Sequence, residues 1–191
     1  MAKNKKLIKN NDIKIPDSYI RSVVRCLKSG WIANGSEVKK LEDNFKRYHN
    51  LADCCAVNSG TAALYLALKF LKPENHSLIG IPSYTCSSLL NVIFSLGHRP
   101  LIFDIDSDSF LANFNKAKDC DVMIPVHTFG NKFNLGKIKN KIIEDCSHIT
   151  DNNLDRNCNL KTFSFYASKP IFGGHGGLIG GPKSIISEIR D

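Results

Sequence analysis

The first predicted element is an amphipathic helix near the start of the chain. Between Asp17 and Ser29, apolar residues recur at the i, i+3, i+4, i+7 spacing of one helical face. These positions are Ile20, Val23, Val24 and Leu27. Gly30 follows, and a glycine commonly ends a helix. A turn-like stretch then leads to Ser36, the predicted N-cap of a charged helix that runs to about Tyr48.

From residue 54 onward the pattern changes to short apolar runs that predict buried strands. The predicted strands are Cys54–Val57, Leu78–Ile81, Leu101–Phe103, Val122–Val126, Ile142–Ile143, Phe163–Tyr166 and Leu178–Ile179. Apolar helices at Thr61–Lys72 and Ser87–Leu96 separate the first of them, and a glycine-rich loop joins the last two. Apolar strands alternating with helices are typical of a parallel sheet covered on both faces. We therefore predict an α/β fold with a mostly parallel, seven-stranded sheet and helices on both faces.

Charge is concentrated at the beginning of the chain of 191 residues. The formal net charge is +8, and residues 1–14 hold five lysines against one aspartate. A basic arm can touch nucleic acid or anionic lipid, but it is more often a solvated tail. We predict a basic tail over residues 1–14 and one folded domain over residues 15–191. The basic excess lacks the interleaved aromatic residues of a single-strand binder, which argues against a nucleic-acid-binding module.

The apolar runs and the cysteines predict where the protein is located and whether it binds a metal. No run reaches the roughly 18 apolar residues of a membrane-spanning helix, and the start does not resemble an export signal. We therefore expect a soluble cytoplasmic protein without membrane contact. The seven cysteines contain no Cys-x-x-Cys pair and read as reduced thiols, so no metal site is expected.

Three groups of residues that could bind a ligand or react follow predicted strands. In open parallel sheets, ligands bind at the ends of the strands. Gly60 and Thr61 precede an apolar helix, whose start offers free N–H groups to a phosphate. Asp145 leaves a buried strand and needs a cation or several donors there. Lys169 follows a strand and precedes a glycine-rich loop. Each feature alone has a commoner explanation, namely a helix cap, a capping aspartate or a surface lysine.

Together the three features predict a site for pyridoxal 5′-phosphate (PLP). A protein supplies this cofactor with a phosphate seat, a carboxylate for the pyridinium nitrogen and a Schiff-base lysine. Burial or a nearby positive charge lowers the pKa of a lysine. The neutral amine is then a nucleophile towards carbonyls. The same amine, once freed, can move a proton.

The chain resembles the DegT/DnrJ/EryC1/StrS family of PLP-dependent sugar aminotransferases, from about Asp17 to its end. This resemblance implies the large domain of fold type I PLP transferases. The matching segments are Gly30–Ile32, Asn34–Gly35, Glu37–Val38, Asn58–Leu64, Ile81–Thr85, Asp104–Asp106, Ile124–His127, Phe129–Asn131, Ile143–Asp145, Phe163–Tyr166 and Lys169.

The resemblance also implies roles for individual residues. Gly60 and Thr61 would bind the cofactor phosphate, joined by the hydroxyl of Ser164. Asp145 would pair with the pyridine nitrogen. His148 stands where the family has Gln or His, beside the phenolic oxygen of the ring. Lys169 would be the catalytic lysine, and it favours transamination because a dehydrating branch of the family has His there.

Two residues and the length depart from the family pattern. Cys86 stands where the family often has an aromatic residue that stacks on the cofactor ring. His175 replaces the acid of the usual Gly-Glu-Gly-Gly loop. Family members are much longer, so the small C-terminal domain is expected to be absent and an apolar surface to be left exposed.

The resemblance therefore implies transamination of a keto nucleotide-sugar, with glutamate as the usual amino donor, in polysaccharide biosynthesis. A homodimer, or association with a complementary chain, is expected. The alternative is a catalytically incomplete remnant or a regulatory subunit that pairs with another chain.

Overall fold

A computed structural model describes residues 13–114, 120–136, 140–154 and 158–191. The predicted basic tail falls mainly on residues 1–12 and so lies outside the described residues. The helices are α1 (Asp17–Lys28), α2 (Ser36–Tyr48), α3 (Gly60–Phe70), α4 (Ser87–Ser95) and α5 (Lys183–Arg190). The strands are β1 (Asp53–Val57), β2 (Leu78–Pro82), β3 (Arg99–Phe103), β4 (Val122–Met123), β5 (Lys141–Asp145), β6 (Leu160–Ser164) and β7 (Gly177–Gly181).

These strands form one seven-stranded sheet in the order β1-β7-β6-β5-β4-β2-β3. Every pairing is parallel except those of β7, which runs antiparallel to both β1 and β6. The predicted mostly parallel, seven-stranded α/β sheet is therefore confirmed. Since β7 alone is reversed, the ends of the other six strands and the start of β7 meet at one edge of the sheet.

Helices cover both faces of the sheet, as predicted. Helices α3, α4 and α5 pack on one face, over a core that includes Cys55, Leu160 and Ile179. On the opposite face, α2 places Phe45 against Cys54 and Phe163. Neighbouring residues of a strand point to opposite faces, which is why Cys54 and Cys55 belong to different cores. None of the described helices combines the length and the apolarity needed to cross a bilayer.

Some predicted boundaries were wrong for identifiable reasons. Helix α2 begins at Ser36 itself, so Gly35 is the N-cap and no side chain caps the helix. Strand β4 ends at Met123 rather than Val126, since Pro125 has no N–H to continue a ladder. The segment predicted as Phe163–Tyr166 pairs instead over residues 160–164. Beyond it, the N–H of Phe165 turns to the carbonyl of Gly176 in the glycine-rich loop.

Candidate active site

All seven predicted site residues line one cavity of about 680 Å³ at the edge of the sheet where the parallel strands end. They are Gly60, Thr61, Cys86, Asp145, His148, Ser164 and Lys169. Each belongs to the end of a strand or to the loop or helix that follows it. The topology thus gathers residues that are more than 100 positions apart in the chain, which periodicity alone could not show.

One end of the cavity is the start of helix α3. The Ser59 hydroxyl caps this helix by accepting a hydrogen bond from the Ala62 N–H at 3.1 Å. The first N–H groups of a helix have no partner within it and carry a partial positive charge. Ser164 approaches this turn so closely that a Cβ on Gly60 would lie 2.7 Å from its Cβ. Glycine is therefore required at position 60, and the result is a small cradle of N–H and hydroxyl donors.

The glycine-rich loop closes the same end of the cavity. Gly176 forms a bridge with Ser59, and the Nδ1 atom of His175 lies 2.7 Å from the carbonyl oxygen of Asn58. Because a carbonyl only accepts, Nδ1 carries the proton in this contact. His175 therefore places a hydrogen-bond donor on the turn that precedes the cradle.

Asp145 ends strand β5 and is almost fully buried. Its Oδ1 atom accepts a hydrogen bond from the Ser147 N–H at 2.9 Å. Within the described ranges it takes part in no ion pair. A buried carboxylate with so few partners is costly unless something supplies a donor or a positive charge. Its free oxygen suits a cationic nitrogen in the cavity.

Lys169 and His148 face each other across the middle of the cavity. The Nζ atom of Lys169 lies 2.8 Å from Nε2 of His148, and the Phe129 N–H points at Nδ1 of the same ring at 3.2 Å. Burial first, and then the positive charge of Lys169, lower the pKa of His148, while Asp145 opposes them. A neutral imidazole has one N–H, so the donation from Phe129 leaves the proton on Nε2. The His148 ring and the Lys169 amine lie within hydrogen-bonding distance in the middle of the cavity.

Cys86 is exposed at the start of helix α4. Hydrogen bonds from the side chain and backbone of Ser88 lower the pKa of its thiol, helped by the charge of Lys169, while Asp145 acts in the other direction. Cys86 lines the cavity. It is therefore the cysteine with the most thiolate character near the site.

A buried ion-pair network surrounds Glu144, the residue before Asp145, whose side chain is on the opposite face of β5. The Glu144 carboxylate contacts Nε2 of His127 at 2.8 Å and the ammonium of Lys161 at 3.3 Å. His127, Glu144 and Cys146 could geometrically hold a metal ion, but the Lys161 ammonium already neutralises this carboxylate. Sequence reasoning missed the network, since only the fold brings His127 and Lys161 to one carboxylate. It anchors the strand that carries Asp145.

The arrangement of these groups fits PLP. The cradle at Gly60 suits a phosphate, and the partly satisfied Asp145 suits the ring nitrogen. The hydroxyls of Thr85 and Thr128 also line the cavity and are buried without a hydrogen-bond partner in the described part of the chain. Buried polar atoms without partners are rare in folded proteins, so these hydroxyls indicate a polar occupant. Lys169 supplies an amine between the two ends.

The fold and the cavity together define an α/β protein with a lysine-containing site at the ends of its parallel strands. Comparison with known proteins gives the family. A model described as the DegT/DnrJ/EryC1/StrS aminotransferase family matches residues 14–188, and the chain belongs to this family.

Relatives of known sequence and structure agree with this assignment. GDP-perosamine synthase of Vibrio cholerae is 24% identical over 181 residues, which cover 85% of this chain and 49% of that protein. Spore coat polysaccharide biosynthesis protein SpsC of Bacillus subtilis is 29% identical over 177 residues, which cover 84% and 46%. The chain thus spans about half the length of these curated relatives.

Solved structures show the same fold. The Spr1654 protein of Streptococcus pneumoniae, in its PLP form, superimposes with a TM-score of 0.80 at 23% identity. The match covers 93% of this chain and 54% of that one. An aminotransferase of the same family from Brucella abortus gives a TM-score of 0.80 at 22% identity, over 91% and 54% of the two chains. At this level of identity, the likeness establishes the fold alone.

Proposed function

We propose that this protein is a PLP-dependent aminotransferase that acts on the keto group of a nucleotide-linked sugar, with glutamate as the amino donor. The observation that carries the proposal is the meeting of Lys169, Asp145 and the start of helix α3 in one cavity. Membership of the aminotransferase family supports it, and so does the relative named for GDP-perosamine synthesis. The fold is proposed to be that of a fold type I large domain.

Each chain residue then has a task set by its position. The N–H groups of Gly60 and Thr61 and the hydroxyl of Ser164 would hold the phosphate. Asp145 would pair with the ring nitrogen and keep it protonated. When bound, PLP would supply a carbonyl carbon that carries the amino group between donor and acceptor and a ring that withdraws electrons from it. Lys169 would hold the cofactor covalently.

His148 and Lys169 form the proposed proton-handling pair. Nε2 of His148 lies 2.8 Å from the Lys169 amine and so positions the group that would attack a carbonyl. After release by the incoming donor, the amine remains beside the reacting carbon and can accept and return a proton there. Cys86 would lie on the face of the ring without stacking on it, so we expect weaker cofactor binding than with an aromatic residue.

The test is a spectroscopic half-reaction. Purified protein is titrated with PLP, and the visible absorption of the bound cofactor is followed while glutamate or other amines are added. We expect a visible band that Lys169→Ala abolishes and that glutamate bleaches. Lys183→Ala is the matched control, because Lys183 is an exposed lysine on α5. No band at saturating PLP, or an equal band in Lys169→Ala, would overturn the proposal.

A second candidate function is suggested by Cys86, which stands where the family often has an aromatic residue. It is a non-catalytic subunit that binds the cofactor and pairs with another chain. A visible band that depends on Lys169 but responds to no amine would support this alternative. Retention of both Asp145 and Lys169 favours the enzyme.

A further inference from the structure

The glycine-rich segment 173–177 leads from the loop after β6 into β7, and His175 is its only residue with a side chain. The segment packs closely against the turn that precedes helix α3. At Gly177 a Cβ would lie 2.5 Å from the carbonyl oxygen of Ser59, so the backbone approaches this turn more closely than a side chain would allow. His175 therefore stands among glycines, two residues from this contact, and its ring reaches the same turn.

The backbone of the segment is bonded to both halves of the phosphate cradle. On the side of β6, the Phe165 N–H donates to the carbonyl of Gly176 at 2.9 Å, directly after Ser164. On the side of α3, Gly176 forms a bridge with Ser59. The N–H groups at the start of α3 and the Ser164 hydroxyl come from distant parts of the chain. The glycine-rich segment therefore sets how these two halves of the cradle face each other.

His175 adds a contact that its glycine neighbours cannot make. Its Nδ1 atom lies 2.7 Å from the carbonyl oxygen of Asn58, and because a carbonyl only accepts, Nδ1 donates. The peptide that joins Asn58 to Ser59 is planar, so a bond to its oxygen fixes the orientation of the whole plane. Ser59 in turn caps helix α3 through the Ala62 N–H. His175 therefore orients the turn from which the helix begins.

The ring of His175 is also in contact with Tyr166, in the segment that follows β6. The two ring centroids are 6.1 Å apart and the rings meet edge to face at 83°. Both residues line the cavity, and both are exposed rather than part of a core. The His175 ring thus joins the segment after β6 to the turn before α3, and its contacts belong to the site more than to the packing of the fold.

We propose that His175 is a positioning residue for the cofactor phosphate. Its hydrogen bond to the Asn58 carbonyl holds the turn that presents the N–H groups of helix α3 to the phosphate. This inference rests on the proposed function and adds a residue that acts through the turn. Because the bond joins an exposed side chain to the backbone, its loss should weaken binding of the phosphate without unfolding the chain.

The experiment compares three substitutions of His175 and two ligands. His175→Asn keeps a donor, since its amide nitrogen is as many bonds from the backbone as Nδ1. His175→Asp has nearly the same shape but only accepts, so it is the matched control. His175→Ala removes the polar group. The ligands are PLP and pyridoxal, which has the same ring and aldehyde but no phosphate.

Each protein is incubated with increasing PLP or pyridoxal and reduced with borohydride, and the modified fraction of Lys169 is measured by peptide mass spectrometry. For half-modification, His175→Ala should need roughly two- to tenfold more PLP, as the loss of one hydrogen bond implies. His175→Asp should be impaired at least as much, and His175→Asn should match the native protein. The pyridoxal requirement should be equal in all the proteins, which also shows that the variants fold.

Three results would overturn the role of His175. An equal loss for PLP and pyridoxal in His175→Ala would assign the effect to the whole site instead of the phosphate. An unchanged PLP requirement in His175→Ala would show that the backbone contacts hold the turn alone. A loss in His175→Asn as large as that in His175→Asp would show that the donor has no part in it. Failure of the proposed function itself would appear in the native protein, as a Lys169 that neither PLP nor pyridoxal modifies.

Discussion

At the scale of single residues, the structure separates one reactive thiol from a set of inert ones. The pKa of Cys86 is lowered, and the residue is exposed at the cavity. Burial instead raises the pKa of Cys54 and of Cys158 to about 12, and raises that of Cys146 well above its ordinary value. The thiolate is the nucleophile, so reactivity should follow these differences.

We predict that iodoacetamide alkylates Cys86 before the other six cysteines at pH 7.5. Mass spectrometry of peptides after short labelling times measures the order. Added PLP should slow labelling at Cys86 and leave Cys26 unaffected, because Cys26 is on α1 and does not line the cavity. Faster labelling of a buried cysteine, or no protection by PLP, would contradict the placement of Cys86 on the cavity wall.

Some site residues could be predicted from the sequence and others could not. Gly60, Asp145 and Lys169 could be found because each follows an apolar strand, and the order of motifs then indicated the family. Phe129 carries no such signal, since a left-handed φ at phenylalanine runs against its local preference. Only the folded chain shows that the Phe129 N–H selects which nitrogen of His148 carries the proton.

At the scale of elements, the junction between helix α3 and strand β6 limits what the site tolerates. Gly60→Ala would place a Cβ 2.7 Å from the Cβ of Ser164. We expect a loss of about 1–3 kcal/mol in the free energy of unfolding, measured by urea denaturation, together with weaker PLP binding. Adding Ser164→Gly should restore much of the stability of Gly60→Ala, because it removes the atom that clashes. A loss that Ser164→Gly leaves unchanged would contradict this contact.

Strand β5 depends on the buried network around Glu144. Burial acts to raise its pKa, but the hydrogen bond from His127 and the charge of Lys161 prevail and lower it below the ordinary value of 4.5. The carboxylate therefore stabilises the fold above about pH 4.5, and this contribution is lost as the pH falls through the lower folded pKa.

Glu144→Gln should cost about 3–5 kcal/mol at pH 7, since it removes the negative charge that pairs with the buried Lys161 ammonium. Urea midpoints of the native protein and the variant, measured from pH 7 down to pH 3, test this. We expect the difference between them to shrink towards acid. Glu37→Gln is the control, because Glu37 is an exposed carboxylate paired with Lys40 on α2. A difference that does not change with pH would contradict the role of the charged form.

Helix boundaries were predicted well for α1, from its apolar periodicity, and for α3 and α4, from their largely apolar composition. Helix α5 was not predicted, because its eight residues are fewer than the window over which apolar periodicity is read, and a single proline separates it from β7. Its place is fixed by tertiary contacts instead: Arg190 binds the Glu42 carboxylate at 2.8 Å, and Ile186 is buried in the core below β1 and β7. Such long-range pairings cannot be read from a local window of sequence.

At the scale of the whole molecule, helix α1 is the element whose exposed apolar side favours contact with another chain. It has no buried residue, and its apolar side is exposed together with Trp31 and Ile32. The exposed apolar residues of the helix are Tyr19, Ile20, Val23, Val24 and Leu27. Apolar surface of this extent, when exposed to water, favours association.

We predict that the chain sediments as a species larger than 21.3 kDa at micromolar concentrations. The double substitution Val23→Asp and Leu27→Asp should shift it towards the monomer, because it places charges on the apolar side of α1. The control is the same change to aspartate at Arg21 and Lys28, which should leave the sedimentation coefficient unchanged. A native chain that stays monomeric would contradict association through this helix.

The central claim is that Lys169, Asp145 and the start of helix α3 enclose one PLP molecule. The most direct measurement is to incubate the protein with PLP, reduce it with borohydride and locate the modified lysine by peptide mass spectrometry. The account predicts modification at Lys169, with weaker labelling in Asp145→Asn and none at that peptide in Lys169→Ala. Labelling spread over exposed lysines, with Lys169 unmodified at saturating PLP, would contradict it.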